Sequence, residues 1–221
     1  MHDACLPVRF PDVRRTFGDV TPIHHTMRIS ILAVAVFSVA CAAGARAQTP
    51  AIPSAFDQIA AAITPLPDEM KANATVLGYR EAGRLVTLRA GTNDMICLAP
   101  EPGAKAFHSA CYHKAMEPFM ARGRALRAQG LKGPQVDTVR FAEVRRGTLV
   151  VPTQPSMLYQ IFGGTFDPAT GKVTGGSRLY VTYIPFATAA STGLSVKPSE
   201  REPWLMWSGT PKAHIMFSVG M

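Results

Sequence analysis

Cys97, His108, Cys111, His113 and Glu117 crowd two thiols, two imidazoles and a carboxylate into one short stretch. Two chemistries compete for the cysteines. Oxidised, they close the intervening loop as a disulfide worth about 3 kcal/mol by loop-closure entropy. Reduced, they could join His108 and His113 as four zinc ligands. The Cys-x-His and His-x-x-Cys spacings do not match a standard structural zinc knuckle. The disulfide Cys97–Cys111 is the expectation, with no cofactor.

His113 and Glu117 are four apart, at the entrance of a helix signalled by Pro118. They share a face if that helix already includes His113, although Pro118 opposes helical geometry at the residue before it. If they meet, the carboxylate can hold the imidazole in one tautomer, as carboxylates do for catalytic or metal-bound histidines. A working site then requires His108 and His214 to reach the same spot. His214 lies in a run where Ile215, Phe217 and Val219 take one strand face and His214 shares the other with Met216. A histidine so placed needs a partner for its ring nitrogens.

No other catalytic signature is present. Lys172 follows Gly171, but a phosphate loop needs Gly where Phe166 stands and Ser or Thr where Val173 stands. Gly-x-Gly-x-x-Gly after a strand, Gly-x-Ser-x-Gly, His-Glu-x-x-His and Cys-x-x-Cys are all missing. Tyr180, Tyr183, Phe186, Trp204, Met206, Trp207, Met216 and Phe217 are apolar enough to line a pocket, and equally suited to a sheet core, which is the expectation.

The elements that would position these residues are readable from period and punctuation. Ser54, with Asp57 three residues on, opens a short helix whose apolar stripe is Phe56, Ile59, Ala60 and Ile63. Thr75–Tyr79, Leu85–Leu88 and Met95–Leu98 are β-type runs separated by turn residues, which predicts a three-stranded antiparallel meander. Glu117-Pro118 starts a helix to about Gln129, with Gly130 beyond its end. Pro134 starts a second one to Arg146, with Val136, Val139 and Ala142 inward. Ser156–Phe162, Arg178–Pro185, Pro203–Trp207 and Ala213–Val219 are strands, with a turn-rich hairpin over residues 163–176. The expected class is α+β: an antiparallel sheet, built from the N-terminal meander and the C-terminal strands, packed with a pair of helices.

Arg28 followed by a short apolar run and Ala45-Arg46-Ala47 has the layout of a secretory signal peptide, cleaved before Gln48. Residues 1–26 then form an over-called start or a non-structural leader, 27–47 the signal, and 48–221 one periplasmic domain with no transmembrane segment. Lipidation at Cys41 is the rival route. Only Cys97 and Cys111 then remain of the four cysteines, an even pair suited to an oxidising compartment.

With 221 residues, 47% of them apolar and 17% charged, the chain holds enough material for one real core and is no disordered or collagen-like sequence. Its net charge is +8. Export and the lack of an aromatic-interleaved basic run argue against nucleic acid. Arg122, Arg124, Arg127, Arg145 and Arg146 form a basic end suited to an anionic envelope component. A non-catalytic binding or envelope accessory protein is the expected function, and a histidine-dependent hydrolase or metal-dependent enzyme the alternative.

Overall fold

The computed structural model describes residues 50–219; the leader, the signal segment, Cys41, Ala45, Ala47 and Gln48 lie outside the described residues. The chain runs α1 (Ala55–Ala62), α2 (Asp68–Lys71), β1 (Thr75–Glu81), β2 (Arg84–Arg89), β3 (Met95–Leu98), β4 (His108–His113), α3 (Glu117–Ala128) and α4 (Pro134–Arg145). It continues through β5 (Ser156–Phe162), β6 (Thr165–Asp167), β7 (Lys172–Thr174), β8 (Ser177–Tyr183), α5 (Ala189–Thr192), β9 (Trp204–Met206) and β10 (His214–Val219). Eight strands form one sheet in the order β2-β1-β3-β4-β5-β8-β10-β9, and β6 and β7 form a separate hairpin. The class is α+β. No helix of the described residues is long and apolar enough to cross a membrane.

The three N-terminal runs are strands, but their order departs from a meander. β1 and β2 form the expected hairpin, whereas β3 lies on the far side of β1 and pairs parallel to it, Val76 opposite Cys97. Polar contacts show what carries the chain across. The Arg89 guanidinium donates to the carbonyls of Ala74 and Lys71. Gly91 N–H donates to the Thr75 hydroxyl, and the Thr92 and Asn93 N–H groups both reach Asn73 O. Gly91 passes directly over the backbone of residues 73–75, where a Cβ would collide with Thr75 N, Ala74 C and Asn73 O. A glycine is what lets two backbones approach this closely.

The sheet has two covered faces because its side chains alternate. On one face α1 packs with Ala62, over Leu66, Val76, Met95, Cys97 and Cys111. On the other, α3 brings Met120 onto Tyr112, Leu158, Leu179, Val181 and Tyr183. Cys97 and Cys111 are direct cross-strand partners of β3 and β4, with Cα atoms 4.0 Å apart, joined in a fully buried disulfide. This strand β4 is central, and the sequence reading left it unassigned.

α1 begins as expected, with the Ser54 hydroxyl accepting from Asp57 N–H at 3.1 Å. Its expected stripe holds in part: Ile59 and Ile63 pack against the core, but Phe56 is 76% exposed while Gln58 is 3% exposed. Beyond Ala99, whose N–H bonds Leu77 O, β3 no longer covers the edge of β1. Gln58 takes the place of a neighbouring strand there. Its Oε1 accepts from Tyr79 N–H at 2.7 Å, and its Nε2 donates to Tyr79 O at 2.9 Å and Pro53 O at 2.8 Å. Gln58→Ala strips partners from three backbone groups, so a loss of about 2–3 kcal/mol is expected. Urea unfolding checks it, with Phe56→Ala changing stability by under about 0.5 kcal/mol as the exposed control.

Candidate functional site

α3 and α4 have the boundaries that Pro118, Gly130, Pro134 and Gly147 signal. Phe119, Gly123 and Leu126 face inward on α3. On α4 the buried residues are Val136, Asp137 and Arg140, with Val139 and Ala142 only partly covered. The expected inward stripe thus holds a charged pair. Arg140 is 3% exposed; it lies flat on the Phe119 ring at 3.9 Å, donates to Phe119 O at 3.1 Å and bonds the Asp137 carboxylate. Lys212 reaches the other Asp137 oxygen at 2.9 Å. Burial alone would raise the Asp137 carboxyl, but the bonds and charges of Lys212 and Arg140 outweigh it and hold the group below its ordinary value. Arg140 Nε is buried without a partner.

The five arginines expected to form one basic end divide by partner. Arg122 is held by Glu143 through two nitrogens, at 2.6 and 2.9 Å. Arg124 donates to Glu117 at 2.6 Å and to the Tyr112 hydroxyl at 2.8 Å. Arg127, Arg145 and Arg146 are exposed and have no carboxylate within ion-pair distance among the described residues.

Arg127 and Arg124 line a concavity of this face. Two adjoining cavities of about 350 and 530 Å³ share Tyr79, Leu85, Glu101, Arg124 and Arg127 as walls. Small side chains make the space: Ala99, Ala104, Ala106 and Ala110 line one cavity, Ala125 and Ala128 the other. Leu85 and Leu98 add apolar surface, and Tyr79 and His108 complete the lining of the first cavity. Burial pushes the Tyr79 hydroxyl up, Glu101 pushes it further and Arg124 opposes. Glu101 is the single carboxylate of the lining, set against Arg124, Arg127 and the rim residue Arg84. The groove is an apolar trough with a cationic edge.

The sequence-predicted cluster does not assemble. Glu117 accepts from Tyr112 at 2.5 Å and from Arg124, not from His113. His113 ends β4, where its Nδ1 accepts from Ala115 N–H at 3.2 Å and its Nε2 lies 3.7 Å from Asp94. The helix therefore does not include His113, and a short 3-10 turn over Lys114–Met116 intervenes. His108 and His113 sit at opposite ends of β4 and on opposite faces, about 17 Å apart along the strand. His214 on β10 is three strands away, roughly 14 Å across the sheet. The three imidazoles cannot share a metal, and Cys97 and Cys111 are bonded to each other. Among the described residues no group of three or more His, Cys, Asp or Glu is arranged to hold one.

His214 does have the partner its burial demands. The ring is 5% exposed, donates from Nδ1 to Lys212 O at 2.6 Å and packs on Tyr183 at 4.8 Å. Burial lowers its pKa, with the nearby Lys212 charge acting in the same direction and the backbone bond opposing. It lines a separate cavity with Tyr183, Met206, Trp207, Lys212 and Met216. The aromatic and methionine residues of the C-terminal strands thus serve both as core and as pocket wall. Comparison with family models, curated proteins and solved structures returns no match for this chain.

Proposed function

We propose that the domain is a non-catalytic binding module of the cell envelope, exported to the periplasm, whose ligand is an anionic amphiphile. The observation that carries this reading is the trough lined by alanines together with Arg127 and Arg124. An apolar body fills the trough, and a phosphate or carboxylate head meets the guanidinium that has no internal carboxylate. Cavities of this size suit small ligands, and planar guanidinium groups recognise phosphate and carboxylate with two parallel hydrogen bonds. The buried disulfide supports an oxidising compartment. The scattered histidines, each held by a different neighbour, favour binding over hydrolysis.

Titration with dodecyl phosphate below its micellar concentration tests the reading. Saturable binding that weakens with added salt is expected, and Arg127→Ala should weaken it about tenfold, the value of one charge-assisted contact. Equal affinity for octaethylene glycol monododecyl ether, which carries neither charge nor sugar, or unchanged binding in Arg127→Ala, would overturn it.

A further inference from the structure

The cavity at His214 is a second pocket, chemically unlike the arginine-rimmed trough. It holds about 210 Å³; a 150 Å³ cavity accommodates benzene, so this one takes a single six-membered ring with substituents. Its polar lining is Gln160, Tyr183, Lys212 and His214. Because Nδ1 of His214 is spent on Lys212 O, Nε2 carries the lone pair, and it has no partner among the described residues. Tyr183, 9% exposed, is a further wall residue, and its hydroxyl has no hydrogen-bond partner among the described residues. Lys212 has its charge answered by Asp137 at 2.9 Å, so the pocket asks for no ionic ligand. The apolar surface comes from Met206, Met216 and the indole of Trp207, which is 41% exposed.

Trp207 is also held in an unusual backbone state. Its φ is 59°, a left-handed conformation costly for a bulky residue. The Thr210 N–H and hydroxyl both bond the Trp207 carbonyl, at 3.1 and 2.7 Å, and enforce the turn. Strain of this kind persists where the surroundings over-determine it, and it clusters at ligand sites. Here it sets the partly exposed indole beside the His214 acceptor, with the Lys212 ammonium 4.8 Å from the ring centre over one face.

The geometry points to a binding site for one neutral pyranose ring, its C–H face on Trp207 and its hydroxyls bonded to His214 Nε2 and the Tyr183 hydroxyl. A sugar hydroxyl donates to the first and its neighbour pairs with the second, while the apolar face of the ring covers indole and thioether surface. A free sugar and a polysaccharide unit offer the same chemistry.

The chain has two tryptophans, Trp204 and Trp207, so Trp204→Phe leaves the pocket's own indole as the sole emitter. Titration of that variant with methyl β-glucopyranoside and methyl N-acetyl-β-glucosaminide is expected to change its emission saturably for at least one of them. Adding Tyr183→Phe, which keeps the ring and the fold, should weaken that binding about five- to tenfold. A β-linked tetrasaccharide binding at least tenfold tighter assigns the source to a polysaccharide, and equal affinity assigns it to free sugar. No saturable response to either glycoside, unchanged affinity in Tyr183→Phe, or equal binding of cyclohexanol would overturn the proposal. None of these outcomes bears on dodecyl phosphate binding in the other groove.

Discussion

Asp137→Ala is expected to cost about 3–5 kcal/mol, because it leaves the buried Arg140 charge without its carboxylate. Lys212 loses its partner in the same step. The loss reads directly as a lower urea midpoint with an unchanged slope. A double variant, Asp137→Ala with Arg140→Met, removes the orphaned charge and should recover at least half of that loss, since apolar side chains commonly replace a buried ion pair without penalty. Failure to recover would mean that Arg140 matters through its stacking on Phe119 and its bond to Phe119 O. The pH dependence follows from the same carboxylate. Its folded pKa is depressed, so the stabilisation is complete above the unfolded value near 3.9 and is lost as pH falls through the lower folded value. Asp137→Ala should flatten that acid limb.

Gly91→Ala is expected to destabilise by about 3 kcal/mol, at the upper end for overpacking, because the obstacle is backbone on three sides and cannot change rotamer. Gly147→Ala is the matched control. That glycine has a left-handed backbone, with φ 73°, which Gly91 lacks, but nothing lies within 4 Å of its added methyl. It should cost about 1 kcal/mol, the strain of a left-handed alanine alone. Thermal unfolding of the two variants separates crowding from conformation. Equal effects would mean that the crossing at residues 73–75 yields easily.

Helix ends and the C-terminal strands were legible because local chemistry determines them. Pro118 and Pro134 can only stand early in a helix, Gly130 and Gly147 take the positive φ that ends one, and the strand alternation around Val181 and Phe217 is strong. β4 was not legible. His108–His113 mixes serine, cysteine and histidine, so its strand character comes from neighbours on both sides rather than from its own pattern. The position of β3 depends on contacts between residues 89–93 and 70–75, which no period encodes. Burial of Gln58, Asp137 and Arg140 was hidden for a related reason. A polar residue reads as solvent-facing until its partners are known, and apart from the Asp137–Arg140 pair within α4 those partners lie on other elements. Of the sites, the arginines and His214 could be named from sequence. Their division into internally paired and unpaired groups could not, nor could the meeting of Tyr183, Trp207 and Lys212.

The register of β5 against β8 runs unbroken from Ser156↔Tyr183 to Phe162↔Ser177. Every ladder bond of that pair is therefore complete before the chain enters residues 163–176, where β6 and β7 pair only with each other. The hairpin touches the rest through such contacts as the stacking of Phe166 on Phe107, ring centres 5.8 Å apart. The hairpin is thus an insertion whose own ladder is separate from that of the eight-stranded sheet. The same autonomy makes its tip, between Asp167 and Lys172, the natural place to splice in an epitope or a fluorophore without disturbing either pocket.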